Sequence, residues 1–214
     1  MRKINFIDLF SGAGGLLEGF MQSGYYEPKA SVEWEKAPID TLRNRLLKKW
    51  NVKDANESAI WFDIQRTDEL FNGFDDEKYG KSKGLDYFVG NSVDIIIGGP
   101  PCQAYSQAGR TKDEYGMRYD YRNFLFEHYL SVVNRYRPKL FIFENVPGIL
   151  SAKPNGINII NEITESFNKI GYTISKNIRK NALVNSVEYG VPQNRKRVII
   201  LGIRSDICSD KRID

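Results

Sequence analysis

The sequence has few of the residues that most often carry acid–base or metal chemistry. Its 214 residues include one histidine, His128, and two cysteines, Cys102 and Cys208. The two cysteines are far apart and in unlike settings, so they indicate neither a disulfide framework nor a zinc-binding spacing. A lone histidine within a predicted helix is more often structural than catalytic, and no metal site is predicted. Any acid–base chemistry must therefore use carboxylates, arginines or a thiol.

Long apolar runs are also missing from the chain. No stretch is long enough to span a bilayer, and the segment Met1–Phe6 lacks the hydrophobic region of a signal peptide. A reducing cytoplasm therefore fits the sequence, with no membrane partner. The net charge of +4 is compatible with a nucleic-acid partner but does not establish one. Hydrophobic residues make up 41% of the chain, which is enough for the core of one sizeable α/β domain.

Apolar runs that end in turn residues recur along the chain and predict strands. Most of these runs show little alternation, which is typical of strands covered on both faces. The connection before the last strand is short, which favours an antiparallel pair there. The sequence therefore predicts an α/β fold with a doubly wound, mostly parallel sheet of about seven strands and an antiparallel last strand. The predicted strands are Ile4–Phe10, Lys29–Val32, Ala59–Phe62, Val93–Ile97, Lys139–Phe143, Tyr172–Ile178 and Arg197–Ile203.

Residues 67–91 are the least informative part of the sequence, because they mix charged residues with glycine. A short helix near Asp68–Phe71 is predicted, followed by a surface excursion before the fourth strand. No function is predicted for this stretch.

The segment Gly98-Gly99-Pro100-Pro101-Cys102 follows the predicted strand Val93–Ile97. Two consecutive prolines fix φ and remove two N–H donors, so the backbone before Cys102 is stiff. The thiol is then expected at the carboxyl end of a parallel strand, where open α/β sheets bind their ligands. A buried structural cysteine is the alternative. The rigid lead-in and the long polar loop that follows favour a nucleophile presented to a substrate.

A predicted strand, a glycine turn and a helix open the chain. The turn Ser11–Gly15 has small residues that allow its backbone to approach a ligand at a helix N-terminus, although a tight β–α turn is an equal alternative. Glu33 lies 21 residues after Gly12, a separation at which an acidic residue binds ribose hydroxyls in this architecture. Trp34 is suited to stacking on a purine, with a core tryptophan as the alternative. Asp63 is suited to accepting a hydrogen bond from an amino group such as that of adenine, or to capping a helix.

Charged residues also mark two later strands. Glu144 comes directly after Lys139–Phe143, and neighbouring parallel strands end at one crevice, so we expect Cys102 and Glu144 to face a common substrate. Capping a helix is a weaker alternative for Glu144, because glutamate is not a favoured N-cap. The cluster Arg195–Arg197 is either a solvated patch or a site for an electron-rich ring or a phosphate. Basic residues and tyrosines interleave from Gln103 to Tyr121, which suits phosphate contact and base stacking.

Four segments, in the same order, resemble the motifs of the cytosine-5-specific DNA methyltransferase family. They are Phe6–Gly15, Gly99–Gln103, Glu144–Gly148 and Gln193–Arg197, and the resemblance extends from Asn5 to about Arg204. It implies a Rossmann-like fold that depends on S-adenosylmethionine. It also implies a restriction-modification system of a prokaryotic cell, with the enzyme acting on chromosomal DNA in the cytoplasm.

The resemblance implies that S-adenosylmethionine binds at the first glycine turn and leaves as S-adenosylhomocysteine. By motif position, Glu33 would hold the ribose, Trp34 would stack on the cofactor and Asp63 would contact the adenine. The full set of implied cofactor-binding residues is Asp8, Phe10, Gly12, Ala13, Gly14, Gly15, Glu33, Trp34, Asp63, Ile64, Pro101 and Leu125.

The resemblance also implies a covalent mechanism on a cytosine that is flipped out of duplex DNA. Cys102 would add to C6 and make C5 nucleophilic, while Glu144 would neutralise charge that develops at N3. Arg197, supported by Arg195, would fix the ring and its carbonyl. Loss of the C5 proton and of Cys102 would restore the aromatic ring. The implied DNA-binding residues are Gln103, Ser106, Arg110 and Arg122, the last within the family-like segment Asp120-Tyr121-Arg122.

Members of this family continue with a target-recognition region and a final motif, and neither is found in this sequence. We therefore expect residues 1–214 to form one catalytic and cofactor-binding domain that is incomplete. Target recognition is expected on a second chain or on a missing C-terminal portion. The chain alone is expected to methylate DNA weakly or not at all.

Three other functions stay open at this stage. Cytosine-5 methylation of transfer RNA uses the same chemistry in one branch of the family. A nicotinamide-dependent dehydrogenase would explain the glycine turn and Glu33, but not Cys102, Glu144 or the arginine cluster. An inactive fragment or subunit that only binds nucleic acid, and that needs a partner, is the third.

Overall fold

The computed structural model of the chain describes residues 2–101, 125–153, 158–175 and 177–208. They form two compact units, the first comprising residues 2–99 and 131–138 and the second comprising the remaining described residues. Each unit contains strands, helices and fully buried apolar side chains. Within the described ranges, every helix is too short or too polar to cross a bilayer.

The first unit alternates strands and helices along its sequence. In chain order its elements are β1 (Ile4–Leu9), α1 (Gly15–Gln22), β2 (Tyr26–Glu33), α2 (Lys36–Lys48), α3 (Ala55–Ser58), β3 (Ala59–Trp61), α4 (Thr67–Asn72), β4 (Phe74–Asp76), β5 (Gly80–Ser82), α5 (Leu85–Val89) and β6 (Ile95–Gly98). Four of the strands pair in the order β3-β2-β1-β6, and all three pairings are parallel. Every residue of β1 after Ile4 is buried, which explains why its sequence does not alternate.

The helices of the first unit each bury one apolar side. In α2, the buried residues are Ile39, Leu42 and Leu46, which recur at helical spacing. In α1, Leu17 and Met21 are buried four residues apart. Fully burying a side chain of this size contributes about 1.5–3 kcal/mol. Packing against β2 and β3 therefore stabilises these helices more than intrinsic propensity does.

Residues 67–91 are an integral part of the first unit, which corrects the predicted surface excursion. The predicted short helix is present as α4, and β4 and β5 follow it as an antiparallel hairpin. Phe74 of β4 stacks on Phe62 with the ring centroids 3.8 Å apart. Leu85 and Val89 of α5 are buried as well. Charged residues separate these apolar side chains, so no periodic pattern marks the stretch as packed.

The second unit is organised around its last strand. Its elements are α6 (Leu125–Tyr136, of which the part from Ser131 belongs to the first unit), β7 (Leu140–Asn145), α7 (Ile159–Lys169), β8 (Tyr172–Ile174), α8 (Ile178–Asn181), β9 (Leu183–Asn185) and β10 (Lys196–Arg204). Strand β10 is antiparallel to β7, β8 and β9. The predicted class, α/β with a mostly parallel sheet and an antiparallel last strand, is therefore confirmed.

Aromatic rings fill the core of the second unit. Phe141 of β7 stacks on Phe167 of α7 with the ring centroids 4.0 Å apart, and Tyr129 and Tyr172 meet Phe141 edge-on. Strand β10 passes close to this cluster at Gly202. A Cβ atom at Gly202 would lie 2.0 Å from Cε1 of Phe141, so a side chain has no space there.

The strand predicted over Tyr172–Ile178 is wrong beyond Ile174. Ile178 starts α8 and is buried there. The alternation of Tyr172 and Ile174 is real, and both side chains are buried in β8. The spacing from Ile174 to Ile178 fits a helical turn as well as it fits two further strand positions, so the pattern could not locate the end of the strand.

Candidate functional site

The glycine turn after β1 exposes backbone at the start of α1. Phe10, Gly12 and Gly14 all have positive φ, which bends the chain sharply between strand and helix. A Cβ atom at Gly12 or Gly15 would meet nothing within 4 Å, so the backbone of the turn is open to a ligand at both positions. Gly14 has a different role, because a Cβ there would lie 2.6 Å from Cδ1 of Leu42 in α2. The sequence alone could not distinguish a glycine that leaves space for a ligand from a glycine that allows a helix to pack closely.

Glu33 at the end of β2 is bonded directly to this turn. Its Oε2 accepts a hydrogen bond of 2.7 Å from the Gly12 N–H, and its Oε1 accepts one of 2.9 Å from the Glu35 N–H. The Ser11 N–H donates to the Val32 carbonyl over 3.1 Å, next to the first bond. The structure therefore brings together Gly12 and Glu33, two of the residues predicted to bind the cofactor. Each carboxylate oxygen keeps a lone pair for a further donor.

Asp8 is a buried carboxyl group beside the same turn. It is 1% exposed, and its Oδ2 has no hydrogen-bond partner among the described residues. Burial raises the pKa of Asp8 well above its ordinary value, and the negative charge of Glu33 raises it further. Ser31, its register partner on β2, also has a buried hydroxyl that finds no partner within the described part of the chain. A cation next to Asp8 would stabilise its ionised form.

Trp34 and Asp63 lie just beyond the carboxyl ends of the neighbouring strands β2 and β3. These two strands pair in parallel, with Glu33 opposite Trp61. Trp34 is 37% exposed, so part of its ring is available to a ligand. Asp63 Oδ1 accepts a hydrogen bond of 3.0 Å from the Gln65 N–H, which makes a local turn. The N-cap position of α4 is Arg66, so the capping alternative for Asp63 is wrong.

The remaining predicted cofactor residues differ in their surroundings. Ile64 of the first unit is buried next to Asp63. In the second unit, Leu125 at the start of the described part of α6 is buried, and Pro101 is half-buried. Ala13 lies in the open part of the glycine turn and is exposed.

Glu144 and Arg197 form an ion pair in the second unit. Arg197 Nε lies 2.8 Å from Glu144 Oε1, and each side chain is about a quarter exposed. Glu144 lies within β7, where it is the register partner of Ile199, rather than after the strand as predicted. The antiparallel pairing of β7 and β10 places Arg197 two residues from that partner, within diagonal reach of Glu144. The structure therefore brings these two predicted catalytic residues together.

Asn145 is a residue of this region that the sequence did not single out. It is 5% exposed, its Nδ2 donates to the Pro100 carbonyl over 3.1 Å, and its Oδ1 accepts from the Val146 N–H over 2.8 Å. A buried amide in an apolar strand must find partners for both of its ends. An amide side chain at the end of a mostly apolar strand is therefore the sequence feature that could have identified Asn145.

The backbone at Arg195 is held in a compact turn, while its side chain is exposed. The Arg195 N–H donates to Ser186 Oγ over 3.2 Å, and the Ser186 N–H donates back to the Arg195 carbonyl over 3.0 Å. Lys196 is exposed and Arg197 is half-buried. The predicted catalytic residue Cys102 and the predicted DNA-binding residues Gln103, Ser106, Arg110 and Arg122 lie outside the described residues.

Comparison with known proteins matches residues 4–212 to a family model described as C-5 cytosine-specific DNA methylase. A Type II methyltransferase of Bacillus paralicheniformis, M.Bpa9945I, is 35% identical over 94% of this chain and 54% of its own length. M.DdeI, a Type II methyltransferase of Desulfomicrobium norvegicum, is 35% identical over 95% of this chain and 41% of its own length. The chain thus spans about half the length of the curated relatives it matches.

Solved structures show the same fold. A DNA modification methyltransferase encoded within an E. coli prophage matches 97% of this chain and 49% of its own chain, with 28% identity and a TM-score of 0.67. A DNMT2 variant of Spodoptera frugiperda matches 99% of this chain and 54% of its own, with a TM-score of 0.65. At 18% identity, this second likeness concerns the fold alone.

Proposed function

We propose, because this chain belongs to the C-5 cytosine-specific DNA methylase family, that it transfers a methyl group from S-adenosylmethionine to C5 of a flipped-out cytosine in duplex DNA. In this proposal residues 1–214 form one catalytic and cofactor-binding domain. A second chain or a further C-terminal portion supplies target recognition, and the protein acts on chromosomal DNA in the cytoplasm as part of a restriction-modification system.

The ion pair between Glu144 and Arg197 is the observation that carries the proposal. A carboxyl group and a guanidinium at 2.8 Å are two groups that can bind neighbouring polar atoms on one edge of a ring, such as N3 and the carbonyl oxygen of cytosine. Glu144 would place a proton at N3, and Arg197 would bind the ring carbonyl, with Arg195 in support. Before the base enters, Arg197 orients the Glu144 carboxylate, which must take up a proton from solvent and exchange this partner for N3.

The first unit fits S-adenosylmethionine on three counts. The backbone of Gly12 and Gly15 is open, so a ligand can approach it closely. The orphaned Oδ2 of Asp8 suits a positively charged ligand, and S-adenosylmethionine carries both a sulfonium and an ammonium group. The lone pairs left on Glu33 suit ribose hydroxyls, and the exposed ring of Trp34 suits stacking on the cofactor.

The same assignment extends to the rest of the predicted cofactor set. Phe10, Ala13 and Gly14 would line the cofactor at the turn, and Asp63 would accept from the adenine amino group beside Ile64. Pro101 and Leu125 would complete the contact. When bound, S-adenosylmethionine supplies an electrophilic methyl group.

The proposed reaction uses Cys102 as the nucleophile. Its thiolate forms a bond to C6 of cytosine while Glu144 protonates N3, which turns C5 into an enamine carbon able to take up a methyl group. The C5 proton is then lost to a base, the bond between C6 and sulfur breaks to return the thiolate, N3 gives its proton back to Glu144, and the aromatic ring returns. Gln103, Ser106, Arg110 and Arg122 would hold the duplex from which the target base has left, at a cost of a few kcal/mol.

Covalent trapping tests this proposal. A duplex that carries 5-fluorocytosine blocks the last step, because fluorine cannot leave as a cation, so enzyme and DNA stay joined. Because the adduct is irreversible, a slow chain still accumulates it over a long incubation. We expect a band of higher mass on a denaturing gel that requires both S-adenosylmethionine and fluorinated duplex DNA.

Two cysteine variants complete this experiment. Cys102→Ser should abolish the adduct, whereas Cys208→Ser should leave it unchanged, since Cys208 is assigned no role. An adduct that survives in Cys102→Ser would contradict the proposal. So would the absence of any adduct from a folded chain that binds S-adenosylmethionine and has been supplied with its target-recognition portion. Offering transfer RNA containing 5-fluorocytosine in parallel decides between the two nucleic acids as acceptors.

A further inference from the structure

We propose that Ser186 is a positioning residue for Arg195, whose backbone it fixes so that the guanidinium can contact a DNA phosphate. This inference rests on the proposed function, because it takes duplex DNA as the partner of the basic cluster Arg195, Lys196 and Arg197. It adds a residue outside the predicted site, and every residue that carries it belongs to the second unit.

Ser186 closes the loop that leads into β10. It directly follows β9 and starts a short 3-10 helix. Its N–H donates to the Arg195 carbonyl over 3.0 Å, and its carbonyl accepts from the Val191 N–H over 3.3 Å. Its hydroxyl donates to the Gln193 carbonyl and accepts from the Arg195 N–H over 3.2 Å. One residue therefore binds three positions of the loop.

The hydroxyl of Ser186 replaces a backbone acceptor at the end of a ladder. Strands β9 and β10 pair Asn185 with Lys196, so the next pair of the hairpin is Ser186 with Arg195. In a regular hydrogen-bonded antiparallel pair, the two residues exchange both N–H···O bonds. Here the Ser186 carbonyl accepts from Val191, and its Oγ accepts from the Arg195 N–H instead. The side chain thus extends the ladder by one pair.

A hydroxyl is the group that suits this position, because it can donate and accept at the same time. It accepts from the Arg195 N–H and donates to the Gln193 carbonyl, whereas a carboxylate could only accept and alanine could do neither. The bonds within the loop, from Gln193 to Val191 over 2.7 Å and from Arg195 to Gln193 over 3.0 Å, span two residues each. Such local bonds do not tie Arg195 to β9.

Arg195 depends on this anchor more than Arg197 does. Arg197 lies within β10, and its Nε is 2.8 Å from Glu144 Oε1. Arg195 precedes the strand and its side chain is exposed, so its direction follows from the backbone that Ser186 holds. A group that is ordered before binding loses less entropy when a partner binds it. Ser186 therefore lowers the cost of a phosphate contact by Arg195 without adding charge.

Duplex binding at several salt concentrations, measured by fluorescence anisotropy on a labelled duplex, tests the proposal. Ser186→Ala should weaken binding by about 2–10-fold, because a long side chain must then be ordered during binding. The salt dependence should stay that of the parent, since no charge is removed and the contact still forms. This pattern differs from that of Arg195→Ala, which removes the charge and changes the slope.

A double-mutant cycle shows whether Ser186 acts through Arg195. In a chain that already carries Arg195→Ala, the further change Ser186→Ala should have no effect on duplex binding. A general loosening of the hairpin would instead weaken binding by the same factor in both backgrounds.

Matched substitutions isolate the hydroxyl. Threonine keeps it and valine has the shape of threonine without it, so Ser186→Thr should bind as the parent and Ser186→Val as Ser186→Ala. This pair decides the question if the alanine variant does not fold, and circular dichroism establishes folding. Ser23→Ala is the control, because the Ser23 hydroxyl also donates to a carbonyl, that of Phe20 at 2.7 Å, and accepts from the Tyr25 N–H at 3.4 Å. It should bind as the parent.

Three results would overturn the proposal: parent-like binding by the variants that lack the hydroxyl, an undiminished loss in the Arg195→Ala background, or an equal loss in Ser23→Ala. A parent that does not bind the duplex would overturn it too, because Arg195 would then meet no phosphate. Failure of the proposed function is a separate outcome. A chain supplied with its target-recognition portion that forms no adduct with 5-fluorocytosine DNA, but binds duplex through Ser186 and Arg195, would be a DNA-binding protein without the proposed chemistry.

Discussion

At the scale of single residues, the buried carboxyl of Asp8 links stability to ligand binding. Its pKa is raised in the folded chain, first by burial and then by Glu33. The unfolded chain therefore releases this proton at a lower pH than the folded chain does, and the free energy of unfolding falls as the pH rises above the ordinary aspartate range. The Asp8 carboxyl lowers the stability of the free protein. A cationic ligand bound beside it would offset this cost by stabilising the ionised carboxylate.

Replacing Asp8 by asparagine should therefore stabilise the free chain and weaken cofactor binding. We expect Asp8→Asn to raise the free energy of unfolding at neutral pH, because asparagine does not ionise and the raised pKa of Asp8 costs about 1.4 kcal/mol for each pH unit that separates its folded and unfolded pKa values. The gain should shrink toward zero at about pH 4, where the unfolded aspartate is itself protonated. Urea unfolding across this pH range, with and without S-adenosylmethionine, measures both effects.

Ser31→Ala is the matched control for Asp8→Asn. It removes the other orphaned buried oxygen of the pair, but a hydroxyl does not titrate in this range. Any change in stability it causes should therefore be the same at every pH. A gain from Asp8→Asn that is equally independent of pH would contradict our account of this carboxyl.

Glu144→Gln should slow the reaction without affecting the cofactor. Glutamine keeps the shape of the side chain and can still accept from Arg197, but it cannot transfer a proton to N3. We expect adduct formation with 5-fluorocytosine DNA to slow by about 10²–10⁴-fold, the usual contribution of a general acid. The dissociation constant for S-adenosylmethionine, measured by calorimetry, should stay the same.

Glu165→Gln, on the exposed side of α7, is the control and should behave as the parent. An equally fast Glu144→Gln would remove this residue from the mechanism.

The sequence located the site residues best where chemistry and spacing coincide. Gly12 and Glu33 were named as cofactor residues from the glycine turn and from their separation; the structure joins them by one hydrogen bond of 2.7 Å, and their part in cofactor binding stays a prediction. Glu144 and Arg197 were named from their residue types and motif positions, and they form an ion pair. Asn145 was missed because its role comes from burial and from a partner 45 residues away, and neither is written in the local pattern.

At the scale of the elements, prediction succeeded for strands with continuous apolar runs. Strands β1 and β6 were recognised because their sequences do not alternate, in keeping with burial on both faces. Strand β7 was recognised from its apolar run, although only every second residue in it is buried. Strand β2 starts at Tyr26, three residues before the predicted start. The prediction began too late because a proline usually marks the end of a strand, whereas here Pro28 lies within β2 at a shift in the register with β1. The hairpin of β4 and β5 was missed, since three-residue strands with charged side chains give no periodic signal.

Gly202→Ala is the clearest test of the packing between β10 and β7. The new methyl group would overlap the ring of Phe141, and overpacking of this kind typically costs about 1–3 kcal/mol. Urea unfolding should show the loss. Gly19→Ala is the opposite control, because a Cβ there meets nothing within 4 Å and α1 gains the helix propensity of alanine, worth about 0.5–1 kcal/mol. An unchanged Gly202→Ala would mean that β10 and β7 pack less closely than the structure shows.

At the scale of the whole molecule, charge is nearly balanced, which sets where DNA can be held. The chain has 31 basic and 27 acidic residues, so attraction to phosphate cannot come from a large overall charge. It must come from places where basic residues lie together without acidic neighbours in sequence. Among the described residues, Arg195, Lys196 and Arg197 form such a group next to Glu144.

DNA binding through this basic cluster should depend measurably on salt concentration. Each phosphate contact releases counterions, so the logarithm of the binding constant falls with the logarithm of salt concentration in proportion to the number of contacts. Arg195→Ala and Lys196→Ala should each lower the magnitude of this slope by about one, measured by fluorescence anisotropy on a labelled duplex. Lys81→Ala, which removes an exposed lysine paired with Asp75 at 3.1 Å, should leave the slope unchanged. If Lys81→Ala lowers it as much as the other two, binding follows total charge, and the cluster that includes Arg197 has no special part in holding the duplex.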